Sequence, residues 1–372
     1  MRKVCVVTLY RHNYGAFLQA YGLQRFLENL GYDATLLNYD YFKDHAILGI
    51  SLSKIKHPVS FVKSITYRLL RYRVSKDRDR IIGYSAVEHL KETDYYRTYK
   101  SVRNNPPAAD IYITGSDQVW NPTISEQGFM SRLLEFVPDG NNVLCSYAAS
   151  VGVKEFSEET KKEIRMNLNR YDRISVREPA SAEMIRDLTD KVISLHKDPA
   201  LLLTTEQWDK FQVKVETNRP YVFIYLAQND PDLIEHTIKI ARKHNWDVVD
   251  CHGSVNYHIK DCANGNRILS PMEFVGGIKN AEYVVTNSFH CLVFTIHYKK
   301  KAYIKRPPKG AGRLSELIDN MSLERITQKE LINDNELNDI YSKTEVYLAN
   351  ERIKAEAYFH ELNVILDNKE AR

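Results

Sequence analysis

The segment from Ala281 to Pro307 contains the residue types best suited to acid–base chemistry. Its short apolar run, Tyr283 to Val285, is typical of a buried parallel strand. The polar run Thr286 to Ser288 follows, and such residues commonly cap a helix. His290 would then lie in the first turn, where unpaired N–H groups and the helix dipole favour an anion. Because histidine titrates near neutral pH, His290 is a candidate proton shuttle; alternatively, Ser288 is only a cap and His290 a packed ring.

A second group of polar residues follows another strand-like run, Ile111 to Gly115. Ser116, Asp117 and Gln118 come directly after this run, where Gly115 allows a tight backbone turn. The carboxyl ends of parallel strands are where α/β folds bind ligands, so these side chains are candidates for holding hydroxyl groups. The alternative interpretation is a helix cap and turn, because Ser, Asp, Asn and Pro are all frequent in turns.

Two further segments contain candidate cations for an anionic ligand. Arg177 lies in the run Ser175 to Glu178, and its planar guanidinium matches a carboxylate or a phosphate. It is equally able to pair with Glu178 or with a helix carboxylate. Lys309 and Arg313 lie in a loop with Pro and Gly that leads into the helical sequence RLSELI, which makes them candidates for an anion site.

Several common site classes are absent from the sequence. There is no GxxxxGK[ST], no GxGxxG after a strand and no HExxH, which argues against ATPase, dinucleotide-binding and zinc-protease functions. His196 with Asp198, and His252 with His258, are too isolated to indicate a metal. The five cysteines never form a CxxC pair, which argues against a disulfide framework and favours a reducing compartment. We therefore expect no metal site and no cofactor.

Length and charge narrow the class of protein. At 372 residues the chain exceeds what one hydrophobic core usually supports, so two domains are expected. The net charge of +4 is too small to indicate nucleic acid as a partner. The apolar run after the basic N-terminus is too short for a secretory signal, and no stretch approaches the roughly 20 apolar residues that span a bilayer. A cytoplasmic protein, with at most peripheral contact with the inner membrane face, is predicted.

The elements that position the candidate residues form two α/β halves. A strand at 3–10, a helix over about 15–30 and a strand at 33–39 predict an opening βαβ unit. Further strands of the first half are predicted at 111–115, 143–150, 173–178 and 191–199, and helices near 157–170 and 179–188. After a boundary near 210–220, strands are predicted at 221–227, 246–251, 282–286 and 302–306, and helices near 231–244, 271–279 and 289–298. The fold class is α/β, with a last helix at about 344–363 that could extend back over the first half.

The segment 53–80 interrupts this alternation with many Lys and Arg residues among apolar ones. This pattern predicts an inserted basic amphipathic helix. A solvated helix face is the plain interpretation. The alternative is contact with anionic lipid, or with a pyrophosphate-bearing acceptor at the membrane surface.

Four segments, taken in order, resemble the polysaccharide pyruvyltransferase family. They are YGAFLQAYGLQRFLENLGY (14–32), DIYITGSDQVWNP (110–122), SYAASVG with ISVRE (146–152 and 174–178), and TNSFHCLVFTIHYKKKAYI (286–304). The joint occurrence of GSDQVWNP and NSFH in this order is specific, and KDPALLL (197–203) also resembles the DP-containing segment of the family. The resemblance covers most of the chain.

The resemblance implies two Rossmann-like domains that face one another across a cleft, as in glycosyltransferases of the B type. It divides the chain into an acceptor-side domain at 1–212 with the basic insertion, a donor-side domain at 213–340 and a C-terminal helix at 341–372. The implied activity is transfer of a pyruvyl group from phosphoenolpyruvate, the donor substrate, to a sugar. That sugar would belong to a bacterial capsule, exopolysaccharide or lipid-linked glycan precursor, and the product would be a pyruvate ketal.

The resemblance also implies roles for the candidate residues. His290 and Arg177 would be catalytic, the first as proton shuttle and the second as a cation that neutralises the leaving phosphate. The donor-binding residues would be Ser288, Asn287, Lys309 and Arg313, and the acceptor-binding residues Ser116, Asp117, Gln118 and Tyr14. Cys291 departs from the glycine or alanine that most often follows the family's histidine, so it either narrows the pocket or packs in the helix.

Two other functions stay open at the level of sequence. One is a nucleotide-sugar-dependent glycosyltransferase of the same architecture, because fold alone does not fix chemistry. The other is a non-catalytic scaffold in glycan assembly, against which the intact set of Arg177, Ser288 and His290 stands. The acceptor sugar and its hydroxyl pair leave no recognisable spacing in the sequence.

Overall fold

The first domain is a doubly wound parallel sheet. The computed structural model of the chain describes residues 1–39, 58–251, 259, 262–265, 267–307, 312–329 and 333–371. In this part of the chain the first domain contains the strands β1 (Lys3–Val7), β2 (Asp33–Leu36), β3 (Ile111–Thr114), β4 (Val143–Ser146), β5 (Ile174–Val176) and β6 (Ile193–Leu195). Four strands pair in the order β2-β1-β3-β4, all parallel, and β5 pairs with β6. Bridges from Cys145 to Arg173 and from Ala149 to Val176 place β5 beside β4, which continues the sheet.

The second domain repeats the same strand order. Its strands are β7 (Tyr221–Tyr225), β8 (Asp247–Asp250), β9 (Tyr283–Thr286) and β10 (Ala302–Ile304), and they pair in the order β8-β7-β9-β10. In both domains the first strand therefore lies between the second and the third. The order in which the chain adds strands to the sheet reverses at this first strand. Ligands of such sheets bind outside the carboxyl ends of the strands at that point. Each strand segment predicted from the sequence contains one of these strands, which confirms the α/β fold of two Rossmann-like domains.

Helices cover both sheets. They are α1 (Tyr14–Asn29), α2 (Pro58–His89), α3 (Tyr99–Asn104), α4 (Glu126–Arg132), α5 (Glu158–Leu168), α6 (Pro179–Ile185), α7 (Thr205–Asp209), α8 (Pro231–His244), α9 (Pro271–Lys279), α10 (Phe289–His297), α11 (Gly312–Asn320) and α12 (Asp334–Glu370). Short 3₁₀ helices lie at Arg186–Leu188, Pro199–Leu201 and Glu324–Thr327. Helix α2 begins inside the predicted basic insertion and continues nine residues past Arg80. Residues 53–57 of the insertion lie outside the described part of the chain.

The two domains share one hydrophobic core along helix α1. The ring of Tyr14 stacks on Phe274 of the second domain, with centroids 5.0 Å apart, and its hydroxyl donates to the Leu269 carbonyl at 2.8 Å. The same ring meets Tyr225 of the second domain edge to face, with centroids 5.7 Å apart. Since each large buried side chain stabilises the fold by about 1.5–3 kcal/mol, these aromatic contacts hold the domains together as well as filling the core.

Helix α12 ties the second domain to the first. It begins at Asp334 and ends at Glu370, ten residues earlier and seven residues later than the sequence predicted, because Asn333 caps it by accepting from Glu336 N. Near its start, the Tyr341 hydroxyl donates to the Lys300 carbonyl of the second domain at 2.7 Å. Near its end, Tyr358 donates to the Ser146 carbonyl of β4 at 2.7 Å. The predicted return of this helix to the first half is confirmed.

None of the helices that the structure describes combines the length and the apolar character needed to cross a bilayer.

Candidate active site

One cavity opens where the carboxyl ends of β1, β3, β7 and β9 meet. It has a volume of about 480 Å³ and is lined by residues that follow these four strands, by part of α2 and by the start of α11. The lining residues are Leu9, His12, Asn13, Gly15, Val74, Ser75, Arg78, Asp117, Gln118, Ile124, Tyr225, Leu226, Ala227, Ser288, Phe289, His290 and Arg313. Both domains thus contribute their strand-reversal point to the same space, which is where an α/β fold is expected to bind its ligand.

Two helix N-termini, one from each domain, face this cavity. Asn13 caps α1 by accepting from Ala16 N at 2.8 Å. Ser288 caps α10 by accepting from Cys291 N at 3.5 Å. The cap residue of each helix lines the cavity, so the first-turn N–H groups and the positive ends of both dipoles are close to any ligand held there. This arrangement favours an anion.

His290 lies in the contact between the domains. Its ring packs on Gly15 so closely that a Cβ at position 15 would lie 2.2 Å from Nδ1. On the other side of the ring, Nε2 lies 3.5 Å from Oδ2 of Asp198, which precedes the 3₁₀ helix Pro199–Leu201. His290 is 9% exposed and lines the cavity. The second domain therefore supplies the imidazole, and the first domain supplies the two groups that fix its position.

Arg177 forms a buried ion cluster behind the cavity. Its Nη1 donates to Asp198 Oδ2 at 2.5 Å, and its Nε donates to Glu178 Oε1 at 2.8 Å. Nη1 also lies 3.3 Å from the Ser116 hydroxyl oxygen. Burial alone would lower the pKa of Arg177, but the surrounding carboxylates raise it, so the guanidinium stays charged. Arg177 is not among the residues that line the 480 Å³ cavity.

Asp117 adds a carboxylate to the cavity wall. Its backbone has φ 71°, the left-handed conformation that side-chain-bearing residues rarely adopt and that often marks a functional site. Its Oδ1 lies 3.5 Å from Nη1 of Arg313 and 3.6 Å from Nη2 of Arg177. Burial alone would raise the pKa of Asp117, yet the charges of these two arginines outweigh it and hold the pKa below its ordinary value. The carboxylate is therefore ionised at neutral pH.

Arginines from two helices contribute positive charge to the cavity. Arg313, near the start of α11, has its guanidinium carbon 5.7 Å from the centre of the Phe289 ring, a cation–π distance. Arg78 enters from helix α2 and donates to the Ser75 hydroxyl at 3.3 Å. Burial, reinforced by the charge of Arg78, lowers the pKa of His12 to about 4, so this imidazole is neutral at pH 7.

The structure separates the ten predicted site residues into three groups. Those that line the cavity are Ser288, His290, Arg313, Asp117 and Gln118. Those that are buried away from it are Arg177, Ser116, Asn287 and Tyr14. Lys309 lies outside the described residues.

The buried candidates make internal contacts that position the cavity. Asn287 accepts from Ala227 N at 2.8 Å and donates to the Gln228 carbonyl at 2.7 Å, so it holds the loop after β7. Ser116 donates to the Ala148 carbonyl at 2.9 Å. Cys291 is fully buried in the core and is not part of the cavity lining, so it packs in the helix as one of the two expected alternatives.

Sequence reasoning missed Asp198, His12, Gly15 and Arg78. Asp198 was considered only as a possible metal ligand with His196 and as part of the DP-containing segment, although an acid directly after a strand of the same sheet edge was a usable signal. Gly15 follows the first strand by a short loop, where a glycine often allows close approach of another group. Nothing in the sequence indicated that Arg78, far along an inserted helix, would reach the cavity.

Solved structures with similar folds are glycosyltransferases and sugar epimerases. An α-glucosyltransferase, solved with UDP and a 13-mer DNA containing an HMU base, is 9% identical with a TM-score of 0.51, covering 98% of this chain and 99% of that chain. A putative UDP-N-acetylglucosamine 2-epimerase from Listeria monocytogenes is 11% identical with a TM-score of 0.47, covering 96% and 97%. The calicheamicin glycosyltransferase CalG4 is 11% identical with a TM-score of 0.42, covering 97% and 98%. At these identities the likeness concerns the glycosyltransferase-B-like fold alone.

No curated protein matches the chain in sequence. The family model for polysaccharide pyruvyl transferase matches residues 13–304, a span that includes β3, β7, β9 and all the cavity-lining residues that follow β1, β3, β7 and β9, except Leu9 and His12. The chain belongs to the polysaccharide pyruvyl transferase family.

Proposed function

We propose that this protein transfers a pyruvyl group from phosphoenolpyruvate to two hydroxyl groups of a sugar, which yields a cyclic pyruvate ketal and inorganic phosphate. The observation that carries the proposal is the position of His290 between two helix N-termini in a cavity that also contains Arg313. A proton donor among anion-binding groups is what an acidic enol phosphate requires. Membership of the family supports the same class of transferase.

The donor would bind with its phosphate and carboxylate at separate cations. Arg313 lies against the Phe289 ring in the first turn of α10, and Arg78 lies close enough to His12, which precedes α1, for its charge to lower the pKa of that imidazole. Arginine suits both anions because its planar fork offers paired donors. Ser288 caps α10 and so orients the N–H groups that would contact the donor. Lys309 keeps its proposed donor-binding role.

The proposed reaction begins with transfer of a proton from His290 to the methylene carbon of phosphoenolpyruvate, which becomes a methyl group. The adjacent carbon, now electron-poor, is attacked by a sugar hydroxyl, whose proton passes to the imidazole. The carbon–oxygen bond to phosphate then breaks, and its electron pair leaves with the phosphate. A second hydroxyl closes the ring and gives up its proton. One hydroxyl proton ends on the methyl group and the other on phosphate.

Buried charged residues would stabilise the charges that develop during the proposed reaction. The Arg177 guanidinium is held behind His290 and Asp117, so its charge acts on the developing phosphate through the ion cluster. Asp117 and Gln118, which belong to the first domain, would orient the sugar hydroxyls, with Ser116 and Tyr14 supporting that wall from behind. The first domain is thus the proposed acceptor side and the second the donor side.

The basic helix α2 suits an acceptor that carries phosphate. Its residues Val74, Ser75 and Arg78 reach the cavity, so a sugar bound there would lie beside this helix. We propose a lipid-linked or otherwise anionic glycan as the acceptor class, with peripheral contact at an anionic membrane face.

Thermal stabilisation by candidate donors tests the proposed function. A ligand at 100 times its dissociation constant adds about 2.7 kcal/mol to the folded state. We expect phosphoenolpyruvate to raise Tm, and UDP- and CDP-sugars to leave it unchanged. Arg313→Gln should abolish the stabilisation, whereas Arg306→Gln should retain it, because Arg306 pairs with Asp319 and is not part of the cavity lining.

Other outcomes of this experiment would identify the competing functions. Stabilisation by a nucleotide-sugar but not by phosphoenolpyruvate would assign the protein to nucleotide-dependent glycosyl transfer. No stabilisation by any donor would favour a non-catalytic role in glycan assembly. If phosphoenolpyruvate binds, release of inorganic phosphate in the presence of acceptor-containing cell-envelope extracts, and its loss in His290→Gln, would establish the transfer.

A further inference from the structure

We propose that Asp198 is a positioning residue that fixes the orientation and the tautomer of the His290 imidazole, and that Arg177 supports this role by holding Asp198 in place. The inference rests on the proposed function, since it assigns His290 the part of proton donor. It gives a function to Asp198, which does not line the cavity, and to Arg177, whose guanidinium contacts carboxylates of the protein.

Asp198 is held in place by two hydrogen bonds. Its Oδ1 accepts from Ala200 N at 3.0 Å, which anchors the carboxylate to the start of the 3₁₀ helix Pro199–Leu201. Its Oδ2 accepts from Arg177 Nη1 at 2.5 Å. The residue is 1% exposed, so water does not compete for these contacts. A carboxylate that is fixed by the backbone and by a guanidinium keeps one geometry throughout a reaction.

The same oxygen faces the imidazole. Oδ2 of Asp198 lies 3.5 Å from His290 Nε2, and Nε2 is buried without a hydrogen-bond partner among the described residues. Gly15 packs against the Nδ1 side of the ring and prevents it from turning away. The separation is at the long end of hydrogen bonding, as is common for catalytic pairs before a substrate is bound. Nε2 is therefore directed at Asp198, and Nδ1 is the nitrogen left to exchange a proton at the cavity.

The carboxylate that faces His290 is ionised. Burial alone would raise the pKa of Asp198, but the charges of His290 and Arg177 hold it well below its usual range. Asp117 adds a second ionised carboxylate from the segment after β3. The nearby cations are Arg177 and Arg313, each paired with one of these acids, and Arg78, which lines the same cavity, whereas His12 is neutral near pH 7. The acid nearest to the imidazole is Asp198.

Glu178 provides a matched control for the effect of Asp198. It also pairs with Arg177, at 2.8 Å, but its other contacts are the Ser150 hydroxyl at 2.7 Å, the Ser181 hydroxyl at 3.1 Å and Nε of Arg313 at 4.0 Å. Glu178→Gln and Asp198→Asn therefore disturb the same guanidinium by removing one charge each. Only the second removes a carboxylate that faces His290. A role confined to stability predicts similar effects from both variants.

Nuclear magnetic resonance of the full chain with ¹⁵N-labelled histidine tests the proposal without any substrate. The His290 signals are identified by their loss in His290→Gln. In the neutral ring, we expect Asp198→Asn to weaken the preference for a proton on Nε2, because the carboxylate can only accept a hydrogen bond whereas an amide can also donate one. Glu178→Gln should leave the tautomer as in the wild type. An unchanged tautomer in folded Asp198→Asn would overturn the proposal.

The wild-type protein supplies a second readout if Asp198→Asn does not fold. Above the titration midpoint, the ¹⁵N shifts of His290 should show the proton on Nε2, because Nε2 faces a carboxylate and can only donate to it. A proton found mainly on Nδ1 would contradict the inference. Failure of phosphoenolpyruvate to stabilise the protein would refute the proposed function but leave both resonance results interpretable, so the two failures are distinguishable.

Discussion

The imidazole of His290 in the second domain rests directly on the Cα of Gly15 in the first, with Nδ1 only 2.2 Å from where a Cβ at that position would lie. Gly15 is in the first turn of α1, and His290 is in the first turn of α10, so the two helices meet at their N-terminal ends. The pair therefore joins the two domains at the point where both can bind an anion.

Gly15→Ala should remove activity with little loss of overall stability. The added methyl group must displace the His290 ring from Asp198, and a shift of about 1 Å in a catalytic group can cost about 100-fold in rate. Gly83→Ala is the matched control, since a Cβ at that helical position meets nothing within 4 Å and an alanine there should stabilise by about 0.5–1 kcal/mol. Turnover and Tm measured for both variants check the prediction; full activity in Gly15→Ala would contradict it.

Arg313→Lys should weaken donor binding although it keeps the positive charge. Lysine lacks the planar fork that contacts an anion through two N–H groups and that lies against the Phe289 ring. We expect KM for phosphoenolpyruvate to rise about 10-fold, which corresponds to about 1.4 kcal/mol of binding. Steady-state kinetics at varied donor concentration measure this effect. Equal KM values in Arg313→Lys and wild type would show that the second N–H group does not contact the donor.

Arg78→Gln should weaken ligand binding in the cavity, whereas Arg80→Gln should not. Both residues lie on α2, but Arg78 lines the cavity and Arg80 is 63% exposed and pairs with Asp77. Loss of one charge contact should lower affinity for a phosphate-bearing ligand about 10-fold. Isothermal titration with phosphoenolpyruvate, and separately with the acceptor once it is known, shows which of the two Arg78 contacts. If Arg78→Gln bound both ligands with the affinity of the wild type, the arginine would be excluded from the site.

Stability should fall as pH is lowered from about 6.5 to 4, in part because of His297. Burial lowers the pKa of this residue to about 4, and its Nε2 lies 2.9 Å from the Ala200 carbonyl oxygen. Between its folded pKa and the unfolded value near 6.5, the unfolded chain binds the proton and the folded chain does not, so stability rises with pH over this interval. The contribution of His297 between pH 7 and pH 5 is about 2 kcal/mol.

Urea unfolding of His297→Gln at these two pH values measures that contribution. Glutamine can still donate to the carbonyl but does not titrate, so the loss of unfolding free energy from pH 7 to pH 5 should be smaller by about 2 kcal/mol. His360→Gln, at an exposed position, should have the wild-type dependence. Equal dependence in all three proteins would mean that His297 is not buried as a neutral ring.

Tyr358→Phe should loosen helix α12 from the first domain. The change removes one buried hydroxyl and leaves the Ser146 carbonyl without its 2.7 Å donor, at a cost of about 1–3 kcal/mol. Tyr84→Phe is the control, because Tyr84 is 69% exposed. Hydrogen exchange of the α12 backbone should increase in the first variant and stay unchanged in the second. Protection equal to wild type would place the anchor of the helix elsewhere, for example at Phe359 and its stack on Tyr147.

Much of the fold follows from local patterns that tertiary contacts do not override. Short β-branched runs such as Tyr283 to Val285 become strands because both of their faces are buried. Helix ends were less predictable: α12 starts at an asparagine cap ten residues before the expected position, and its apolar pattern there is too sparse to see without the surface that it covers. The short helices α3 and α4, which contain one or two turns, have no clear periodicity and were not predicted.

The candidate site was predictable only where a residue follows a strand directly. His290 and Asp117 were found because each follows such a strand by a few residues. Asp198 and Gly15 act through residues more than ninety positions away, and spacing along the chain does not encode such contacts. Arg177 is the opposite case, because its residue type suggested that it binds an anionic ligand. In the structure its anionic partners are Asp198 and Glu178 of the protein itself.

The matching strand orders of the two domains have a consequence for how the protein divides its chemistry. The loop after the third strand of the first sheet carries Asp117, and the loop after the third strand of the second carries His290, so equivalent places in a repeated topology hold a carboxylate and an imidazole. Each half alone contains an incomplete pair. The proposed activity therefore depends on the distance between the two halves. An agent that increases this distance by the length of one hydrogen bond should inhibit the reaction without entering the cavity.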